Sequence, residues 1–543
     1  MKKLILLLAV VLFSCNSKTN VDLIVTGKIW TGNESQPIAE AMAISADTIV
    51  AIGALDEINN KYASSNSIKS PAGQLIVPGF IDTHTHFVDG GFRLSSVQLR
   101  DAKTPKEFIQ RIKTYAATLP AGAWITGGDW DHENWGGELP DRNWVDSVTQ
   151  DHPLWINRLD GHMSLANTAA LKAAGIDDKV KDVDGGTIVR SKGRVTGIFK
   201  DNAIFYIDKV VPTPPDELED RALDTAMAYV ASKGVTSAHN MFGNMAALKR
   251  AHKADRLKTR IYAGMKLVEW KTLNDSVKAH GFGDKWLRFG NLKAFVDGSL
   301  GSHTAAFHKP FIDSPKDSGF FITAPEDLYK MIKSADSAGL HLMVHAIGDR
   351  AIHSLLDIFE RVEKENGSLD RRFRIEHAQH IAPEDIPRFA QLGVVASMQP
   401  YHAIDDGRWA EKAIGAERSK TTYAFKSLFD ANTIVSFGSD WFVAPPTPLE
   451  GIYAAVTRRT LDDKNPGGWV PGQKITVEQA LKAYTLNAAY SSFEEDIKGS
   501  LAPGKLADFV ILEKDLTSID PAEIRSVKVL RTVVGGRTVF EEK

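Results

Sequence analysis

The stretch Pro78-Gly79-Phe80-Ile81-Asp82-Thr83-His84-Thr85-His86-Phe87 sets an apolar run against two histidines one residue apart. In an extended chain alternate side chains share a face, so His84 and His86 point the same way where a strand ends. Imidazole is the commonest metal ligand, which makes the pair a candidate half-site. With sixteen histidines in 543 residues, the pair alone does not establish a metal, and its surroundings have to decide.

Working outward, strand-like apolar segments that end in polar residues recur at Gly79 to His84, Gly234 to His239, Arg260 to Lys266, Leu292 to Asp297, His341 to His345, Phe373 to His377, Val394 to Gln399 and Ile434 to Asp440. Longer helix-like stretches separate them, so the pattern is that of βα units around a parallel sheet. Eight units predict an α/β fold built on a closed (β/α)8 TIM-like barrel over residues 79–470, with its chemistry at the C-terminal strand ends. The gap between the first two strands, about 90–233, is too long for one crossover helix and is expected to be an insertion. Five of the eleven tryptophans fall in it (Trp124, Trp130, Trp135, Trp144, Trp155), either as the insertion's own core or as an aromatic lid over the site. Short apolar runs broken by glycine at residues 21–78, and again in 471–543, predict that both ends of the chain pair into a small β-sandwich.

Three further strands end in potential ligands: the fifth in His345, the sixth in His377 and the eighth in Asp440. A single histidine at a strand end is usually structural. Four histidines and an aspartate on one rim are hard to explain as packing, and they form the nitrogen and oxygen donor set that zinc favours, although manganese, iron and nickel also suit it. The alternation of Leu292-Lys293-Ala294-Phe295-Val296-Asp297 aims Lys293 into the barrel. Three readings of it stand open: an ion pair with a carboxylate such as Asp297, a carbamate formed with carbon dioxide, or a surface lysine on a misplaced strand.

The N-terminus follows another logic. Met1-Lys2-Lys3, ten apolar residues from Leu4 to Phe13, and then Ser14-Cys15 read as an export signal over residues 1–14. Ten apolar residues fall short of the roughly twenty that a spanning helix needs. Leu12-Phe13-Ser14-Cys15 resembles a bacterial lipobox with Phe13 as a departure, so Cys15, the single cysteine, is expected to carry lipid, with residues 15–20 as a tether. The expected location is the bacterial cell envelope. Basic and acidic side chains nearly balance, 65 against 68, and nothing in the composition supports nucleic-acid binding.

The motifs PGFIDTHTH, LKAFVDGSLGS, VHAIGDRA, RIEHAQ and FGSD, with the closing KGSLAPGKLADFVIL, resemble those of the amidohydrolase superfamily, and in particular its family 3 branch of amide hydrolases, over nearly all of the mature chain. The resemblance implies two zinc ions per chain: His84 and His86 on the more buried one, His345 and His377 on the more exposed one, carbamylated Lys293 bridging them, and Asp440 touching metal and nucleophile. His162, in Arg158-Leu159-Asp160-Gly161-His162, matches an element near the substrate pocket. Where arginine is expected after GSLGS this chain has His303, which puts a substrate role there in doubt. With Asp297 and Trp130, these are the candidates for substrate contact. His380 competes with His377 but falls three residues beyond the strand end.

The expected reaction is hydrolysis of a carbon–nitrogen amide bond, of N-acyl or N-formyl type with an apolar or aromatic group, by water that the metal activates and Asp440 deprotonates. Two alternatives stand beside it: a mononuclear deaminase-type site in which Lys293 is no ligand, and a non-catalytic, lipid-tethered binding protein. The expected partners are a small-molecule amide, a membrane and a second copy of the chain.

Overall fold

The computed structural model describes residues 18–149 and 151–543. Cys15 and the export signal lie outside the described residues. No helix among those described is long and apolar enough to cross a membrane.

Eight parallel strands form the centre: β1 (Phe80–Thr85), β2 (Val235–Asn240), β3 (Arg260–Lys266), β4 (Leu287–Phe295), β5 (His341–Ala346), β6 (Arg374–His377), β7 (Val395–Met398) and β8 (Val435–Phe437). Each pairs with the next in sequence order, as right-handed βα units require. Residues beyond β8 close the ring. The Asp440 N–H donates to the His84 carbonyl (2.7 Å) and the His86 N–H to the Trp441 carbonyl (2.5 Å), so the seam of the barrel sets Asp440 against both histidines.

Two strands differ from the sequence reading. β4 begins five residues early, at Leu287, where Arg288 and Gly290 interrupt the apolar alternation. β8 stops at Phe437 because the buried Asp82 carboxylate takes the Ser439 N–H (2.8 Å) and hydroxyl (2.5 Å), drawing the chain out of the ladder. Gly438 passes so close to β1 that a Cβ there would lie 2.6 Å from the His84 nitrogen.

The insertion is a second folded unit. Its six-stranded sheet runs in the order Gly186–Ser191, Arg194–Asp201, Met163–Ala166, Leu154–Arg158, Ile125–Trp130 and Val97–Gln98. Trp130 and Trp155 are buried in its apolar clusters, and Trp124, Trp135 and Trp144 pack against them. The tryptophans are therefore the insertion's core and not a lid.

Both chain ends meet in one mixed sheet, where Phe509–Leu512 pairs antiparallel with Leu75–Pro78. Alternation divides these strands between two cores: Ile76, Phe509 and Ile511 face Val25, Ile29 and Met42, while Leu75, Val77, Val510 and Leu512 face the barrel. The buried pair of Arg260 on β3 and Asp508 (2.7 and 2.9 Å) ties this sheet to the barrel. The helices Val477–Tyr484 and Leu486–Tyr490, expected with the terminal sheet, pack instead on the barrel. Thr476 and Gln479 cap the first of them, and the Tyr484 ring meets Phe80 and Phe437.

Candidate metal centre

The ends of β1, β5 and β6 and the turn after β8 bring their histidines and aspartate into one row of side chains. Ring centres run from His86 to His84 (5.9 Å), to His377 (4.7 Å), to His345 (4.5 Å) and on to His162 of the insertion (4.9 Å). Asp440 lies across this row, with Oδ1 3.5 Å from Nε2 of both His84 and His86. Among the described residues, His84, His377 and Asp440 form the group whose ligand atoms all fall within 4.8 Å of one another, and all three are buried.

Three of these histidines are held from behind, leaving the other nitrogen for the cavity. His84 Nδ1–H donates to Glu376 Oε2 (2.5 Å), and Arg374 in turn holds Glu376 (2.8 Å). His377 Nδ1–H donates to Gln399 Oε1 (2.8 Å), and His345 Nε2–H to the Gly298 carbonyl (3.0 Å). Such partners fix the tautomer and raise the basicity of a ligating imidazole. Burial holds His84, His345 and His377 far below the usual histidine range, so all three are neutral, the state in which imidazole binds metal. Burial pushes the Asp440 carboxyl up, but His84 and His86 outweigh it and hold the group down at about 2. A divalent cation fits this donor set.

Two of the three members of the converging group sit on left-handed backbone, His377 at φ +73° and Asp440 at φ +61°. A side chain there costs free energy that the surrounding structure must offset, and such positions gather at functional sites.

Lys293 is buried inside the barrel, with Nζ 3.1 Å from His84 Nε2. Burial lowers its pKa to about 8 against the opposing pull of Glu376 and Asp440. It is neither a surface lysine nor the partner of Asp297. That carboxylate is taken up by the backbone N–H groups of Ala306, Ile347 and Gly348 (2.8, 3.0 and 2.9 Å), and burial raises its pKa to about 7.

A pocket opens over the row. Of the four candidates for substrate contact, His162 lines it, and three lie elsewhere. Trp130 is fully buried in the insertion, its indole N–H donating to the Ile156 carbonyl (3.1 Å). Asp297 orders the backbone behind His345. His303 pairs with Asp313 (3.0 Å), away from the pocket. His380 is likewise occupied, its Nδ1 2.8 Å from the Thr422 hydroxyl.

The rest of the wall was not foreseen: Asp131, Arg158 and Asp160 from the insertion, Gln379 after β6, and His402, Asp405 and Asp406 from the helix Pro400–Asp406 after β7. Glu376 and Gln399 were also missed. Two charged residues, Arg374 and Glu376, in a four-residue interior strand were the available signal for the first.

Residues 72–540 match the sequence profile of the amidohydrolase family. The chain is 37% identical over 538 residues to the protein LONG AFTER FAR-RED 3 of Arabidopsis thaliana, covering 96% of this chain and 91% of that protein. It is 30% identical to the putative amidohydrolase YtcJ of Bacillus subtilis, covering 95% and 98% of the two chains. Among solved structures, an uncharacterized metal-dependent hydrolase from Pyrococcus horikoshii superposes with a TM-score of 0.74 at 26% identity, over 92% of this chain and 99% of that one.

Proposed function

The chain belongs to the amidohydrolase family of metal-dependent hydrolases acting on carbon–nitrogen bonds, and from that membership we propose that it cleaves amides of the N-acyl or N-formyl type. The observation that carries the reading is the convergence of His84, His377 and Asp440, each buried, beneath the pocket. His84, His86, His345, His377 and Asp440 are the residues that would hold metal, with zinc the ion best matched to the donor set. When bound, such a cation supplies Lewis acidity toward a carbonyl oxygen and toward water.

The protein's own groups supply the proton transfers. Asp440, ionised across the neutral range, accepts the proton of the attacking water and returns it to the departing nitrogen. His162 donates Nδ1–H to Asp201 (2.6 Å). Burial pushes its pKa down, but Asp201 and Asp160 outweigh that and raise it, and this places an imidazole donor at the pocket for the carbonyl oxygen.

Lys293, with its pKa lowered to about 8, holds a larger neutral fraction than a free lysine for addition to carbon dioxide with loss of a proton, and its carbamate would bridge two ions. Among the described residues one such group converges, which favours a mononuclear alternative in which Lys293 stays an amine. Elemental analysis separates these: about two ions per chain, falling to about one in Lys293→Ala, supports the bridge, and one ion in both proteins excludes it.

Leu159, Leu300, Ile347, Trp409 and Val443 line the pocket beside the histidines, apolar surface that suits aromatic amides. The deciding experiment is a hydrolysis screen of the zinc-loaded protein against N-formyl and N-acyl arylalkylamines. Full metal occupancy with no turnover across that panel would reject the reading in favour of a binding protein. The envelope location through Cys15 is part of the same proposal, and loss of radiolabelled palmitate from the expressed protein in Cys15→Ala is its test.

A further inference from the structure

The charged side chains around the pocket are unevenly matched. Asp131, Asp160, Asp405, Asp406 and Asp440 line it, and Arg158 is the one lysine or arginine among the described lining residues. That guanidinium is already committed. Nε–H donates to His132 (3.2 Å), and the two terminal nitrogens donate to Asp160 (2.5 Å) and Asp131 (3.1 Å). Its outer face is covered by Gly301, where a Cβ would come within 2.5 Å of a guanidinium nitrogen. Arg408, behind the wall, is likewise bound to Asp405, Asp131 and Asn134. The position that could have offered another cation, His303, faces Asp313 instead. Away from His162 and the residues that would hold metal, a ligand whose far end is acidic therefore meets carboxylates and no free lysine or arginine among the described lining residues.

A second feature of the same wall is independent of the carboxylates. The Nε2 atom of His402, on the helix after β7, is shut off from solvent and has no hydrogen-bond partner. A buried polar atom left unpaired is costly, and one that lines a pocket is accounted for when a ligand completes it.

We propose that this wall selects substrate by charge, taking an amide whose far end carries a basic amino group and rejecting one whose far end is acidic. The inference rests on the pocket being the substrate site, and it names the substrate class that the proposed hydrolysis would act on. An ammonium group brings three donors and a positive charge to a wall rich in carboxylate oxygens, with no free lysine or arginine beside it among the described lining residues. Aromatic amides with an aminoalkyl end would place the ring against apolar lining residues such as Leu300, Trp409 and Val443 and the charge against Asp405 and Asp406.

Calorimetric titration of the zinc-loaded full chain tests this with three ligands of one shape: 4-(aminomethyl)benzamide, 4-methylbenzamide and 4-carbamoylbenzenesulfonate, the sulfonate being a poor metal ligand. The amine is expected to bind at least about tenfold more tightly than the sulfonate, with the neutral ligand between them. Asp405→Asn, which removes a carboxylate from the wall and one of the three partners of Arg408, is expected to cut that ratio to about threefold or less. Asp406→Asn, which keeps an acceptor for the Tyr423 hydroxyl, is a second variant expected to reduce it. Equal affinities, a tighter sulfonate, or no binding of the amine at millimolar concentration would overturn the proposal. The expected binding order without hydrolysis of any amide would instead remove the proposed reaction and leave the charge selection standing.

Discussion

The barrel rim and the insertion both face the pocket, yet they hold their functional groups by opposite means. On the rim, each ligand candidate sits at a strand end, and its orientation comes from hydrogen bonds across the barrel, such as His84 to Glu376 on β6 and the Asp440 N–H to the His84 carbonyl on β1. In the insertion, the pocket residues Arg158, Asp160 and His162 hang from a sheet whose own apolar core, centred on Trp130 and Ile156, fixes them. Closing the ring thus aligns the chemistry, whereas the insertion's own apolar core positions the groups it lends to the pocket. Damage to one should separate cleanly from damage to the other.

The largest effect expected is on the rim. Asp440→Asn keeps the shape but removes the base, and kcat should fall by about 10²–10⁴-fold with the thermal midpoint nearly unchanged. A smaller loss would assign Asp440 to metal binding alone.

In the insertion, Trp130→Ala empties a fully buried site and should cost about 3–5 kcal/mol of stability. Metal stoichiometry should be retained, and the damage should read out as a raised KM and a lowered thermal midpoint. Loss of metal in this variant would show that the two regions do not fold separately.

Glu376→Gln sharpens the rim side of the comparison. It should weaken metal affinity by about 10–100-fold, read by competition with a chromophoric chelator. The barrel should stay folded, because the amide still accepts from Arg374.

The same division governs what could be read in advance. The rim was legible because strand-like apolar segments run into polar residues at their ends, so His84, His345, His377 and Asp440 were named from position, and Lys293 from the alternation within its segment. The hydrogen bonds that orient them were not, since Glu376 lies 292 residues from His84 and no local pattern records such a pairing. β8 stopped short of expectation because a carboxylate from β1, Asp82, competes for the Ser439 N–H. In the insertion, tryptophan content signalled burial without saying of what. The polar wall it supplies is set by turns after its strands, and those have no period.

The smallest predicted effect concerns His303, the position whose family departure raised doubt in the sequence. The Nε2 atom of its half-exposed ring meets Asp313 at 3.0 Å, outside the pocket wall. A partly exposed pair of this kind is screened by solvent and contributes little, so His303→Ala should change stability by no more than about 1 kcal/mol. The kcat/KM for a neutral amide should stay within about twofold, as expected for a surface change far from the reacting groups. Restoring a long cation with His303→Arg is the sharper version. Should that variant gain acidic amides as substrates while His303→Ala does not, the loop after β4 would be the element that decides which charge the pocket accepts, and the wall contributed by the insertion and the helix after β7 would be secondary to it.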